Sequence, residues 1–330
     1  MTFSSPTTAG PLLNSSSGPA GSGAAGSRAA GSRAAAGGGA RNVSDQLHQA
    51  LERELVDLPP LPLVANRLVM ALGNTETAVS DLVRLIGMDQ SIAAKVLRLV
   101  NSSYYGFPRQ VTTLSHAIVI LGFNTVRNLA LAIAAFDKFP LSRHSPLDPT
   151  KFWEHAVGVA ICAQMLAKRK NLPSKVGEEA FLGGLLHDVG KLFLCQHFPN
   201  SYRAAIETAW EEKCRVSVAE QTHCGATHSL VGKRIAEKWN LPATLATTIW
   251  RHHDPVQAQT CFEVTALVNA ADALVRATRI GFVGDPLPPA FAPEVAAYIQ
   301  VDAKMLTEVQ EELKAKVQDA REFLQVAAGR

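Results

Sequence analysis

The sequence is poor in aromatic residues and has no long apolar run. Phe, Trp and Tyr make up only 6% of the chain, and this scarcity beside abundant Ala and Leu favours helices over strands. The most apolar run, residues 129–136, is too short to cross a bilayer. The N-terminus lacks the basic start and apolar stretch of a secretory signal. We therefore expect a cytoplasmic protein with no membrane partner.

The cysteines lack the pairing expected of a disulfide framework or a CxxC metal site. Their number is odd, and three of them stand among apolar neighbours, where a free Cys commonly behaves as a small buried hydrophobe. A reduced intracellular chain is the simplest interpretation. The five residues are Cys162, Cys195, Cys214, Cys224 and Cys261.

The folded part of the chain lacks an excess of either charge. The formal net charge of +3 comes from residues 1–44, which contain Arg28, Arg33, Arg41 and no acidic residue. The remainder holds 29 basic and 29 acidic residues. A neutral body lacks the basic surface of a dedicated nucleic-acid binder, so we expect no nucleic-acid partner.

The first 41 residues lack the apolar side chains that a core requires. They consist mainly of Gly, Ser, Ala, Pro and Thr, with a repeated AGSRAAGSRAA element. Such a segment cannot bury enough apolar surface to offset the entropy lost on ordering. We predict a disordered tail over residues 1–41.

From residue 42 onward, apolar residues recur three and four positions apart, and no comparable stretch alternates with period two. This pattern is typical of amphipathic helices. We predict an all-α fold in which an N-terminal helical bundle (42–145) packs on a second helical half (146–280). A proline-bearing loop near residues 140–149 marks the boundary. A Pro-rich connection and a C-terminal helix follow over residues 281–330.

Polar residues before apolar stretches predict where several helices begin. Ser44, Ser80 and Ser91 each have the side chain of a typical N-cap, and Thr113 or Ser115 opens a further helix. A nearly unbroken apolar pattern predicts one continuous helix over residues 177–198.

That predicted helix contains the most unusual polar pair of the chain. His187 and Asp188 stand in FLGGLLHDVGKLFL, an almost wholly apolar context. A buried ionised carboxylate without a partner is costly, so Asp188 should be paired, protonated or bound to a metal. Lys191 lies one turn after His187, where its ammonium could reach a bound anion.

Glycines surround this pair, although each costs about 1 kcal/mol relative to Ala inside a helix. They are Gly183, Gly184 and Gly190. Their presence indicates that another backbone or a ligand approaches the helix closely.

Five more imidazoles and carboxylates occupy separate apolar helices. Any one of them alone is more often a hydrogen-bonded core residue, as we expect for His223, and the adjacent pair at 252 and 253 could be a solvated helix end. Their joint occurrence favours one shared, metal-capable site, and mixed His and Asp ligands suit one or two ions of Mn, Fe, Ni or Zn. The five residues are His155, His228, His252, His253 and Asp272.

The order of these residues resembles the HD superfamily of metal-dependent phosphohydrolases. Over about residues 45–280 the chain is similar, more specifically, to the HDOD (HD-related output domain) family of bacterial signalling proteins. The similarity lies in the segments LPPLPLVANRLVMAL, MDQSIAAKVLRLVNSSYYG, LSHAIVILGFNTVRNLAL, GGLLHDVGKL, HSLVGKRIAEKWNLP and IWRHHDP.

The resemblance implies an HD-like second half, a role in signal output and a set of metal ligands. Many HDOD proteins have lost these ligands and have no established catalytic activity, whereas this chain keeps the set. By similarity to active HD enzymes, a first metal would be held by His155, His187, Asp188 and Asp272. Asp188 would bridge to a second metal held by His228, His252 and His253. Lys191 would contact a phosphate, so Asp188 and Lys191 are the candidate catalytic residues.

The chain also departs from the HD-GYP relatives, which hydrolyse cyclic di-GMP. After His253 it reads DPVQAQTCFEV, without a Gly-Tyr-Pro loop, which argues against cleavage of that dinucleotide. No segment resembles a receiver or GGDEF module, so we expect input from a partner protein, a ligand or the tail.

Two functions follow from the sequence. The first, which we favour at this point, is a regulatory output protein that acts through contacts with signalling proteins and keeps an HD-type metal site. The alternative is a metal-dependent phosphohydrolase or (cyclic) nucleotide phosphodiesterase, with a nucleotide or phosphodiester ligand.

Overall fold

The fold is all-α, as predicted. The computed structural model describes residues 49–73, 78–101, 107, 109–142, 144–282, 284–287, 291–300 and 302–319, and these residues contain helices and no strand. The predicted disordered tail over 1–41 and the predicted cap Ser44 lie outside the described residues.

The N-terminal part is a bundle of short helices, which we call the N-terminal bundle (residues 49–136). A single turn of 3-10 helix, Ala71–Gly73, extends the second helix. In the described residues the helices are α1 (49–57), α2 (Leu63–Met70), α3 (Val79–Gly87), α4 (Gln90–Val100), α5 (Leu114–Leu121) and α6 (Phe123–Phe136).

Two of the predicted helix starts are wrong by two residues each. The Asp89 carboxylate accepts hydrogen bonds from the backbone of Ser91 and Ile92 at the start of α4, so Asp89 is the N-cap and Ser91 lies inside the helix. An acidic side chain there also stabilises the positive end of the helix. Ser80 lies inside α3, because the chain turns helical at Val79. Thr113 caps α5, which confirms one of the two predicted starts.

The second part contains helices of 7 to 21 residues. A 3-10 segment, Pro255–Cys261, precedes α14, and α15 is a short helix that the sequence analysis missed within its Pro-rich connection. The helices are α7 (Pro149–Arg169), α8 (Ser174–Leu186), α9 (Val189–His197), α10 (Pro199–Glu211), α11 (Val216–Cys224), α12 (His228–Lys238), α13 (Ala243–Arg251), α14 (Phe262–Ala277), α15 (Pro293–Ile299) and α16 (Ala303–Asp319).

The predicted continuous helix over 177–198 is wrong, because the chain breaks at His187 and Asp188. Helix α8 ends at Leu186 and α9 begins at Val189, with a turn between them. The break has a packing cause: α8 lies against α7 and α14, whereas α9 lies against α12 and α10. One straight helix could not contact both sets of partners.

Two glycines allow these contacts, which confirms the expected close approach of another backbone. A Cβ on Gly184 would lie 2.7 Å from Ala160 Cα on α7. A Cβ on Gly190 would meet the carbonyl oxygen of His228 at the start of α12. The break and both close contacts fix the position of the His187–Asp188 turn.

The main hydrophobic core of the described residues runs from Leu51 in α1 to Leu313 in α16, and a small second cluster lies between α10 and α11. Helix α7 lies at its centre and packs against α8, α14 and α16. The Trp239 indole donates to the carbonyl oxygen of Pro59 and so joins the second part to the N-terminal bundle. The division of residues 42–280 at 145/146 stays a prediction. Among the described residues, no helix combines the length and the apolar character needed to cross a membrane.

Candidate metal centre

The turn between α8 and α9 buries both His187 and Asp188. His187 Nδ1 lies 2.8 Å from the carbonyl oxygen of Gly184, to which it can only donate a proton. Its Nε2 therefore faces the site and lies 3.3 Å from Asp188 Oδ2. The break in the helix points an imidazole nitrogen and a carboxylate oxygen at the same space.

The first group of candidate ligands gathers around this turn. His155, from the middle of α7, places its Nε2 3.3 Å from His187 Nε2 and 3.9 Å from Asp188 Oδ2. Asp272, from α14, contacts the same nitrogen of His155, with Oδ1 3.1 Å from Nε2. The ligand atoms of His155, His187 and Asp188 all lie within 4.8 Å of one another. We call these four residues the first group.

The second group consists of three histidines at helix ends. His228 begins α12, while His252 and His253 follow the last residue of α13. Their ligand nitrogens all lie within 4.8 Å of one another, and the Nε2 atoms of His228 and His253 are 3.0 Å apart. His252 is fully buried, so the alternative of a solvated helix end is wrong for this residue.

Asp188 lies at the edge of the first group and presents one oxygen to that group and the other to the second group. Its Oδ2 faces His187 in the first group. Its Oδ1 lies 3.4 Å from His228 Nε2 and 3.8 Å from His252 Nε2 in the second group. Asp188 could therefore contribute one oxygen to each group if divalent metals were bound there.

The electrostatics favour the metal-binding protonation states of His155, His252 and Asp188. Burial lowers the pKa of His155, and burial together with the charge of His187 lowers the pKa of His252 to about 3. Both rings are therefore neutral at neutral pH, the state in which imidazole is a ligand. Burial acts to raise the pKa of Asp188, but the charges of His187 and Lys191 outweigh it and hold that pKa well below its usual range. His187 differs: burial acts to lower its pKa, but the charge of Asp188 and a hydrogen bond to that carboxylate outweigh burial and raise the pKa of His187.

Three buried side-chain atoms of the candidate ligands lack hydrogen-bond partners in the described residues: His155 Nδ1, Asp188 Oδ1 and His252 Nε2. Asp188 Oδ1 and His252 Nε2 lie 3.8 Å apart. His252 donates from Nδ1 to the carbonyl oxygen of Ile249, so its Nε2 is a lone-pair acceptor that cannot bond to the carboxylate. Orphaned buried acceptors are costly. One ion could reach both at about 2.0–2.2 Å, the usual distance for N and O ligands of Zn. The residues therefore fit a divalent metal.

Lys191 is buried beside the pair, and its ammonium donates to Asp188 Oδ2 at 2.8 Å. It balances the charge of the Asp188 carboxylate, while its contact with a phosphate stays a prediction. His223 forms a hydrogen bond with the Thr208 hydroxyl at 2.9 Å, which confirms the ordinary role expected of it.

The sequence analysis missed two residues that orient the second group. Glu220 in α11 is fully buried, and its carboxylate accepts from both Nδ1 and the backbone N–H of His228. Asn269 in α14 donates to the carbonyl oxygen of His252 at 2.6 Å. Glu220 had a signal that was overlooked, because it shares the apolar face of Val216 and Ala219 in α11.

A cavity of about 160 Å³ gives access to the centre. His253 and Asp272 form part of its wall, together with Arg215 and Arg276. Arg276 lies 3.8 Å from Asp272 and 3.4 Å from Asp285, which follows α14. The opening therefore presents members of both groups to a ligand beside two cationic side chains.

Known proteins with similar sequences point to one family. The HDOD domain matches residues 58–255 of this chain. An uncharacterized protein of Treponema pallidum (strain Nichols) is 24% identical over 209 residues, which are 63% of this chain and 40% of that protein. The chain thus spans less than half the length of this curated relative.

Solved structures of similar fold support the same assignment. An HDOD domain protein of unknown function from Geobacter sulfurreducens is 25% identical, with a TM-score of 0.69 over 86% of this chain and 99% of that chain. A candidate phosphohydrolase from Shewanella amazonensis SB2B is 26% identical, with a TM-score of 0.66 over 84% and 98%. A candidate signal transduction protein from Marinobacter aquaeolei VT8 is 25% identical, with a TM-score of 0.69 over 86% and 64%. The family match covers more than half of the chain, which confirms the resemblance seen in its motifs: the chain belongs to the HDOD domain family.

Proposed function

We propose that the chain is a metal-dependent phosphohydrolase whose two ligand groups hold two divalent cations. The observation that carries this proposal is the position of Asp188, with one carboxylate oxygen on each group. Paired cations that share a ligand are typical of enzymes that cleave phosphate esters. The similarity to the candidate phosphohydrolase of Shewanella amazonensis supports it.

Different residues of the chain would bind the metals, balance their ligand's charge and attract the substrate. Bound divalent ions lower the pKa of a coordinated water and stabilise negative charge on a phosphoryl group. Asp188 would hold both ions, and Lys191 would balance its charge from the buried side. Arg215 and Arg276, in the wall of the cavity, would attract an anionic substrate to the opening.

The volume of the cavity at the metal centre limits the size of the substrate group that can enter it. Its volume of about 160 Å³ is well below the ~300–1,000 Å³ of sites that enclose a drug-sized ligand. A phosphoryl group fits inside it, and the rest of a nucleotide would remain outside. We therefore propose a phosphate ester that presents its phosphoryl group to the opening. The lack of a Gly-Tyr-Pro loop still argues against cyclic di-GMP.

Turnover measurements test this function. Hydrolysis of p-nitrophenyl phosphate, bis-p-nitrophenyl phosphate and a set of nucleotides would be followed with Mn, Fe(II) or Ni, for the full chain and for Asp188→Ala. We expect Asp188→Ala to lose the activity by ~100-fold or more, while Asp81→Ala on the exposed face of α3 keeps it. Equal rates for the parent chain and Asp188→Ala would contradict the proposal.

A second function is favoured by the surface of the N-terminal bundle. Several of its apolar side chains are largely exposed, and exposed apolar side chains are a common component of protein contact sites. We propose that this surface binds a signalling partner, as the similarity to the candidate signal transduction protein of Marinobacter aquaeolei supports. The most exposed are Met70 (80%), Val119 (79%), Val56 (73%) and Leu63 (59%).

Co-purification tests the partner surface separately from the chemistry. A stoichiometric partner that is retained by Asp188→Ala but lost with Met70→Lys and Val119→Lys would support the second function. Both substitutions alter exposed side chains, so the fold should survive them. A chain that purifies without any stoichiometric partner would contradict it.

A further inference from the structure

A second cavity lies between the N-terminal bundle and helices α8 and α13. Its volume is about 720 Å³, within the range of small-molecule binding sites. None of the candidate metal ligands lines it. Its wall includes Phe123 and Arg127 from α6, Glu178 and Leu182 from α8, and Leu245 from α13. Both apolar and charged groups thus line one partly open cavity away from the metal centre.

Arg127 is the most unusual group in this wall. Its side chain is only 6% exposed, one terminal nitrogen donates to the carbonyl oxygen of Ala71, and the other lies 3.4 Å from the Asn128 amide oxygen. Its Nε has no hydrogen-bond partner. Among the ion pairs formed by the described residues, none includes this guanidinium. A buried cation without a counter-charge is costly, so a bound anion would stabilise it.

The acidic residues of the wall already have other partners. The Glu179 carboxylate lies 3.9 Å from the Lys175 ammonium, and the Glu178 carboxylate accepts from the Ser174 hydroxyl at 3.0 Å. Glu178 is near enough to favour the charged form of Arg127 but forms no ion pair with it. Arg127 is therefore the cation left to pair with a ligand.

Three helices begin at this cavity, which adds positive potential. Asn124, Lys175 and Thr244 lie in its wall and are the second residues of α6, α8 and α13. No side chain caps the first turn of any of these helices. Free backbone N–H groups and the helix dipole make such ends favourable for anions.

An apolar surface lies beside the positive groups. The Phe123 ring centroid is 5.8 Å from the centre of the Arg127 guanidinium, and Leu182 and Leu245 complete this side. A ligand with only a charge would leave these side chains uncovered. A planar or apolar group attached to an anion would contact both surfaces.

We propose that this cavity is a second ligand site, which binds a small anionic molecule that carries a planar or apolar group. The anion lies at Arg127 and the helix starts, and the remainder of the ligand lies against Phe123 and the leucines. This assignment depends on the geometry of the cavity and stands whether or not the metal centre is an active enzyme.

The site is also placed to influence the metal centre. Helix α8 runs from the cavity to His187 and Asp188, and α13 runs from it to His252 and His253. The two helices touch in their second halves, where a Cβ on Gly183 would lie 3.0 Å from the Thr248 methyl carbon. A ligand that moves the first turns of these helices would shift both pairs of metal ligands. This coupling rests on the proposed metal centre, and linkage requires that it act in both directions.

Calorimetric titration of the full chain with AMP and with uncharged adenosine tests the binding site. We expect AMP to bind more tightly than adenosine. Arg127→Gln should lower the affinity for AMP by about tenfold or more, because a charge-assisted contact is lost. Thr244→Trp, at the half-buried rim, should block the cavity. Arg53→Gln, an exposed arginine of α1, should bind AMP as the parent chain does.

The variants also show where AMP binds. AMP binding that is lost in Arg127→Gln and retained in Asp272→Asn would support the second site. The reverse pattern would place AMP at the metal centre and overturn the proposal, as would equal affinity for AMP and adenosine. If AMP binding in the second site leaves the affinity for Mn unchanged, the coupling is overturned, while the binding site stands on its own titration.

Discussion

The Glu220 carboxylate holds His228 by two hydrogen bonds to one oxygen, from the ring Nδ1 and from the backbone N–H, each 2.7 Å long. Both residues are fully buried. Because Nδ1 carries the proton of this contact, the Nε2 lone pair of His228 points at Asp188 and His253. A carboxylate behind the ring also raises the basicity of a metal-binding imidazole.

Glu220→Gln should therefore weaken metal binding in the second group. The amide keeps the size of the side chain but removes its charge, and loss of such a supporting carboxylate typically lowers metal affinity by ~10–100-fold. Competition with a metal-binding dye would measure the metal affinity of each ligand group separately. Glu212→Gln, at the exposed end of α10, is the matched control. Equal affinities in both variants would show that Glu220 has no supporting role.

Gly190→Ala should disrupt the packing of α9 on α12. A Cβ at this position would overlap the His228 carbonyl oxygen and lie 2.8 Å from the Gly232 nitrogen, and both obstacles are backbone. Overpacking of this kind costs about 1–3 kcal/mol or more in the free energy of unfolding, which urea denaturation would measure. Gly87→Ala, where a Cβ meets no atom within 4 Å, should leave stability equal or higher. The same loss in both variants would refute the packing argument.

The sequence was informative where a polar residue stands out from an apolar helix. His155 and Asp272 could be named because the residues around them mark core-facing positions, and the structure brings both to the first group. The break at His187 and Asp188 was not visible, because the apolar pattern continues through it and the cause lies in packing against distant helices. For Glu220 the sequence offered half of the information: its place on the apolar face of α11 was a visible signal, but only the fold shows that His228, eight residues away, lies against it.

The cysteines should differ sharply in reactivity. Burial raises the pKa of Cys195 and Cys224 to about 12 and raises that of Cys162 as well. Below those values the thiols stay protonated, so at pH 8 they are unreactive as well as inaccessible. We expect an aromatic disulfide reagent to titrate only the partly exposed Cys214 and Cys261 rapidly, and all five thiols after unfolding in guanidinium. Five rapid equivalents from the folded chain would contradict this burial.

Asp188→Ala should remove bound metal from both groups at once. Its Oδ2 lies 3.3 Å from His187 Nε2 and its Oδ1 lies 3.4 Å from His228 Nε2, so the substitution takes one ligand from each group. Elemental analysis of protein purified without chelator should give two ions per chain for the parent and none for this variant. A His187→Ala, Asp188→Ala double variant should lose both ions as well.

Substitutions that remove a ligand from only one group distinguish the loss of a shared carboxylate from general damage to the fold. Asp272→Ala should release the ion of the first group, because Asp272 contacts His155 and not the second group. His253→Ala should release the ion of the second group, because its contact is with His228. Each variant should then retain one ion per chain. If Asp188→Ala also retained one ion, the carboxylate would belong to a single group, and hydrolysis by two cations that share it would be untenable.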